Sequence, residues 1–101
     1  MADVVPLQMT TVAAQRKIRE LAANSANVIV ISHGVKRQRE RKITRRQIEL
    51  CASKGVIVEG PFLNQHGNWQ VTIQRMAAGE EVMCVIAIDW PNKLIVITAY
   101  R

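Results

Sequence analysis

Polar and apolar positions change their spacing along this chain in a way that divides it into two halves. In the first half the period is helical. Val12, Ile18, Leu21 and Ala22 stand at roughly helical spacing, and Gln15, Arg16, Lys17, Arg19 and Glu20 supply a polar side. This predicts a helix over Val12 to about Ala23, capped by Thr10 or Thr11. Asn24-Ser25-Ala26-Asn27 breaks it, and the β-branched run Val28 to Ile31 predicts a short strand. Ser32 is a good N-cap for a second helix over His33 to about Arg41, whose apolar face is little more than Val35. Thr44 and Gln47 have the T-x-x-Q spacing of a capping box. Ile43 before the cap and Ile48 inside the helix add a hydrophobic staple, Cys51 and Ala52 extend the buried stripe, and Gly55 suits a C-terminal cap.

From Val56 the period becomes two. VIVE predicts a strand ended by Gly60-Pro61, and Asn64 to Asn68 a polar loop. Trp69, Val71 and Ile73 then alternate with Gln70, Thr72 and Gln74, the mark of a strand with one wet face. Ala77-Ala78-Gly79-Glu80 reads as a hairpin turn. Glu81 to Asp89 is apolar on both faces and so predicts a central strand. Trp90-Pro91-Asn92-Lys93 turns the chain again into a last strand, LIVITAYR. The expected fold class is therefore α+β, with N-terminal helices packed on a four-stranded antiparallel meander. Residues 1–9 are expected as a flexible leader and residues 10–101 as a single domain.

Charge changes the picture more than composition does. Hydrophobic residues make up 49% of the chain, enough for a core, and fourteen basic against eight acidic side chains give a net charge of +6. A basic excess on a small domain favours a polyanionic partner, with nucleic acid the commonest. Cys51 and Cys84 have no zinc spacing and read as buried, reduced thiols, compatible with the cytoplasm. The start MADVVPLQM lacks the features of a secretory signal, and the apolar run Val82 to Ile88 is too short to span a bilayer. No cofactor, no metal site and no membrane association are expected.

Seven of the basic residues fall between Lys36 and Arg46. His33, Arg37 and Arg41 are spaced i, i+4, i+8, which puts all three along one side of a helix. A histidine at a helix start is held neutral by the positive end of the dipole and can act as a base. Two arginines beyond it suit adjacent phosphates. Together they fit RNA phosphodiester cleavage, in which a base takes the 2′-hydroxyl proton and cations stabilise the phosphorane. The plainer alternative is a solvated helix face whose arginines cover core edges or pair with Glu40 and Glu49. Lys36, Arg39, Lys42, Arg45 and Arg46 widen the patch and would add salt-sensitive affinity for nucleic acid. Thr98 and Tyr100 share one face of the last strand and are further site candidates, against the alternative that the tyrosine closes the core. His66 reads as an ordinary loop histidine. With few aromatics between the charges, a base-stacking platform is not expected.

At these positions the chain resembles a bacterial family, the domain of unknown function 4258. Its recurring pattern looks like S-x-H-A-x-x-R-M-x-x-R-G-I-T, then a helix ending in x-G, a G-x-W-like strand start and a closing V-x-V-x-T-x-Y. The matching residues are Ser32, His33, Arg37, Arg41, Ile43, Thr44, Gly55, Trp69, Thr98 and Tyr100, and the likeness runs from about Ile18 to the end. Gly34, Gln38 and Lys42 depart from the pattern's Ala, Met and Gly. In layout the family is similar to RelE- and ParE-like toxins of the barnase–EndoU–colicin–RelE group. That likeness implies His33 as base, Arg37 and Arg41 as phosphate clamp, and Thr98 and Tyr100 as the facing strand's contribution. It implies a metal-independent endoribonuclease of toxin type, with RNA and an antitoxin as partners. RelE-like folds also include toxins that cut no RNA, so a non-catalytic module binding nucleic acid or an acidic protein is the alternative.

Overall fold

A computed structural model describes residues 5–31, Lys36, Arg39, 42–77 and 79–100. Helix α1 spans Thr11–Ala22, and Thr10 caps it by accepting from the Ala13 N–H at 3.0 Å. Its buried residues are Ala14, Ile18, Leu21 and Ala22. Val12 is not among them: it is 68% exposed. Six residues separate it from Ile18, which at about 100° per residue places it some 120° around the helix. Ala14, four residues before Ile18, holds the buried position instead.

A 3-10 turn at Ser25–Asn27 leads into strand β1, Val28–Val30. Helix α2 covers Arg45–Lys54 and starts with the expected capping box. Thr44 Oγ1 accepts from the Gln47 N–H at 3.1 Å, and Gln47 Oε1 accepts from the Thr44 N–H at 2.7 Å. Ile43 and Ile48 are both in the core. Gly55 ends the helix, but for a different reason from the one expected. Its φ of −77° and ψ of 179° are extended, not left-handed. A Cβ there would collide with Cys51 O, Ile73 Cγ2 and Gln74 O, so close approach of α2 to the sheet is what requires glycine. The Gly55 carbonyl then accepts from Gln15 Nε2 at 2.6 Å and Arg19 Nη2 at 3.3 Å, tying α1 to this junction.

Strands β2 (Val56–Leu63), β3 (Trp69–Ala77), β4 (Glu80–Asp89) and β5 (Lys93–Tyr100) form the expected antiparallel meander, with β4 central. Among the described residues, however, the sheet has five strands and is mixed. Its order is β1-β5-β4-β3-β2, because Val28–Val30 pairs in parallel with Leu94–Val96. The short first strand thus joins the last one and caps that edge of the sheet. At the opposite edge β2 does not stop at Gly60-Pro61 but runs on to Leu63, through two register shifts. An edge strand has no neighbour on its outer side, so it tolerates a residue without an N–H. Gly60, at φ +88°, absorbs the irregularity beside Gln70 O.

Helices α1 and α2 pack on one sheet face, against Val71, Ile73, Cys84, Ile86, Ile88, Leu94 and Val96. Burying an isoleucine such as Ile18, Ile48 or Ile86 contributes about 1.5–3 kcal/mol over leaving it exposed. Cys51 Sγ lies 3.5 Å from both Ile73 O and Val82 O, and the two cysteines are free and buried side by side. The contact with Cys51, together with burial, pushes the Cys84 thiol well above the ordinary range. From the stretch expected as a leader, the Pro6 carbonyl accepts from Trp69 Nε1 at 2.9 Å and Met9 packs against the core. Lys17 Nζ sits 4.7 Å from the centre of the Trp90 ring, fixing α1 against the β4–β5 turn.

Candidate nucleic-acid interface

Residues that alternate with the core positions share the sheet's other face. Register assigns them to rows that cross the strands. Phe62 on β2 pairs with Gln70, Gln70 with Ala87, and Ala87 with Ile95. One row further along, Glu59 pairs with Thr72, Thr72 with Val85, and Val85 with Thr98. The next row holds Val56, Gln74, Met83 and Tyr100.

A cleft of about 750 Å³ opens over the first of these rows. Its floor is apolar, made by Ile31, Ala87, Ile95 and Ile97, and Phe62 and Leu63 form one wall. Asp89, Gln70 and the loop after β2 supply polar groups at one end. The low point of the floor is Ala87, whose methyl lies between the larger Gln70 and Ile95 side chains of its own row. The volume falls within the usual range for small-molecule pockets, and the mixture of apolar floor and few polar groups is typical of them.

Asn64 builds the loop at the cleft's mouth. Its Oδ1 accepts from the His66 N–H at 2.9 Å and the Asn68 N–H at 3.0 Å. Its backbone N–H donates to Asn68 O at 2.8 Å, and its Nδ2 donates to Gln70 Oε1 at 3.1 Å. Gly67, at φ +79°, takes a left-handed conformation that closes the turn. The loop is therefore organised before anything binds, and His66 lines the cleft. Reading His66 as an ordinary loop histidine missed this, because the sequence signal for β2 stopped two residues before Phe62. With the strand ended at Gly60-Pro61, nothing placed Phe62, Leu63 and the following loop beside β4 and β5.

The sequence-predicted site residues divide into several groups. His33, Arg37 and Arg41 lie outside the described residues, as does Arg101. Thr98 and Tyr100 are partly buried and stand on the cleft's face of the sheet, but in the two neighbouring rows and not in the cleft lining. Lys36 and Arg39 are helical and exposed, and Lys42 and Arg46 are exposed too. Lys42 holds φ at +55°, where its N–H donates to Arg39 O at 3.2 Å.

Arg45 differs from the rest of the basic group. Its Nη2 donates to Val28 O at 2.6 Å and to Ser25 O at 3.2 Å, and its Nε meets Glu49 Oε2 at 2.9 Å. Ser25 Oγ donates to the same Glu49 oxygen at 3.0 Å. This guanidinium joins the start of α2 to the start of the 3-10 turn and the start of β1. Of the two readings for the basic run, pairing with Glu49 describes Arg45, and its position in a phosphate-binding group is correspondingly weakened.

Among the described residues no helix is long and apolar enough to cross a membrane. No curated protein and no solved structure matches the chain. A family model does match, over residues 31–101, beginning at the Ile31 that lines the cleft and leaving α1 outside. The chain belongs to the family described as Domain of unknown function (DUF4258).

Proposed function

We propose that this chain is a cytoplasmic RNA-binding domain of RelE-like toxin type that cuts RNA without a metal. The observation that carries the reading is the position of the cleft. Its floor includes Ile31, which stands two residues before His33 in the sequence. Lys36, Arg39, Lys42 and Arg46 are exposed cations on a chain of net charge +6. In this reading His33 takes the proton of a 2′-hydroxyl, and Arg37 and Arg41 neutralise the phosphorane. Thr98 and Tyr100, on the same sheet face, contact the strand further along. The helix-then-sheet layout, similar to that of RelE- and ParE-like toxins, supports the toxin class by analogy of fold.

Incubation of the purified chain with tRNA and mRNA in excess chelator tests this directly. Cleavage that falls by about 100-fold or more in His33→Ala, and also in Arg37→Ala, is the expected result. Equal cleavage by all three proteins would refute the catalytic assignment. The second reading, a module that binds nucleic acid or an acidic partner such as an antitoxin without turnover, is favoured by the exposed cations alone. It expects salt-dependent affinity that survives His33→Ala and no cleavage by any form.

A further inference from the structure

We infer that the cleft is a nucleobase pocket selective for guanine, with Phe62, Gln70, Ala87 and Asp89 as its determinants. The inference rests on the RNA reading for its biological context, but its chemistry comes from the cleft itself. Ala87, a small residue only 2% exposed, lies beneath the pocket between the larger side chains of the same row. Phe62 lies across from Gln70 on the adjacent strand and is 44% exposed, an aromatic ring with one side still available to a planar ligand. Stacking on such a ring is tolerant of sequence, so it would hold any base.

Selection comes from the polar end. Asp89 is exposed and stands two residues beyond Ala87, on the same face of β4. An ionised carboxylate accepts two hydrogen bonds and donates none. Guanine is the base that offers two adjacent donors on one edge, N1–H and the N2 amino group. Adenine presents an acceptor at N1 and is repelled there. Gln70 Oε1 already accepts from Asn64 Nδ2, which leaves the Gln70 amide hydrogens for an acceptor such as guanine O6 or N7. Gln70 and Asp89 are diagonal neighbours across β3 and β4, about 7–8 Å apart at the backbone, a separation that a purine edge with its hydrogen bonds can span. The Asn64-braced loop, with no rearrangement required, closes the end of the pocket.

Nitrogen-15 correlation spectra of the full chain, titrated with the four ribonucleoside 5′-monophosphates, inosine 5′-monophosphate and inorganic phosphate, test the proposal. Saturable shifts at the Gln70, Ala87, Asp89 and Ile95 amides are expected with the guanine nucleotide. Its Kd should be at least ten-fold below that of the adenine nucleotide, and inosine, lacking the amino group, should fall between them. Asp89→Asn should reduce the guanine preference to less than three-fold, while Phe62→Leu should weaken every base. Equal response to all four bases, cleft shifts reproduced by phosphate alone, or no cleft shifts at all would each overturn the pocket. A parallel titration with pentanucleotides containing one guanine or one adenine separates free nucleotide from RNA as the natural source. RNA binding without the guanine response defeats the pocket and leaves the RNA reading standing. Guanine binding without RNA affinity does the reverse.

Discussion

Lys42 holds a backbone conformation that a side chain with a Cβ adopts only at a cost. Its φ of +55° puts Cβ close to the following carbonyl, an arrangement unfavourable by about 1–2 kcal/mol. Glycine removes that contact but loses about 0.5–1 kcal/mol more chain entropy on folding. Lys42→Gly is therefore expected to raise stability by about 0.5–1 kcal/mol, read as a higher urea midpoint at unchanged slope. An unchanged or lower midpoint would show that the lysine's own interactions outweigh the strain. Gly55 is the opposite case. Its backbone is ordinary and the space around it is filled, so Gly55→Ala should lower stability by about 2 kcal/mol through overpacking against Ile73 and the Cys51 carbonyl. At Cys51 and Cys84 burial decides reactivity: neither sulfur reaches solvent. An aromatic disulfide reagent should find no thiol in the native protein and both in denaturant; rapid reaction of either in the native state would contradict the packing.

Arg45 and Arg46 are adjacent in α2, and the two side chains do different things. Arg45 makes charge-assisted hydrogen bonds to two carbonyls and an ion pair with Glu49, whereas Arg46 is exposed. Arg45→Ala should cost about 1.5–3 kcal/mol of stability, the scale of hydrogen bonds to charged groups, and Arg46→Ala less than about 0.5 kcal/mol in chemical denaturation. A charge tally cannot separate the two, since the carbonyl partners of Arg45 lie in the 3-10 turn and β1, seventeen or more residues away. The capping box and staple of α2 were legible because every partner lies within four or five residues. β2 was misjudged for the same reason in reverse. Gly60-Pro61 looks like a terminator locally, and only its position at a sheet edge lets the strand continue to Leu63. The parallel pairing of β1 with β5 links Val28 to Leu94, a separation that no local pattern reports.

At the scale of the whole molecule the two sheet faces have separate roles. Alternation in β3, and the apolar run of β4, announced a sheet with a buried side and placed β4 at its centre. The cleft on the other side was not legible, because it needs Phe62 of β2, Ala87 and Asp89 of β4 and Ile31 after β1, three separate strands, brought together. If the basic group meets a phosphate backbone, affinity for RNA should fall steeply as salt rises, with log Kd linear in log salt. Arg46→Ala should reduce that slope by about 0.7, the loss of one phosphate contact on a single strand, as measured by fluorescence anisotropy. A slope unaffected by Arg46→Ala and by Lys42→Gly would move the contact surface away from this end of α2.

The bond from Arg45 to the Val28 carbonyl has a topological meaning as well as an energetic one. It draws together the described elements on either side of the basic run, β1 and the start of α2, as a clasp. Closing a longer loop costs only about 0.6 kcal/mol for each doubling of its length. Residues can then be inserted between Ile31 and Lys42, or charges exchanged there, at small cost to the sheet that the clasp protects. Arg45, proposed for no part of the chemistry, is thus expected to hold the two flanks of the stretch that bears it.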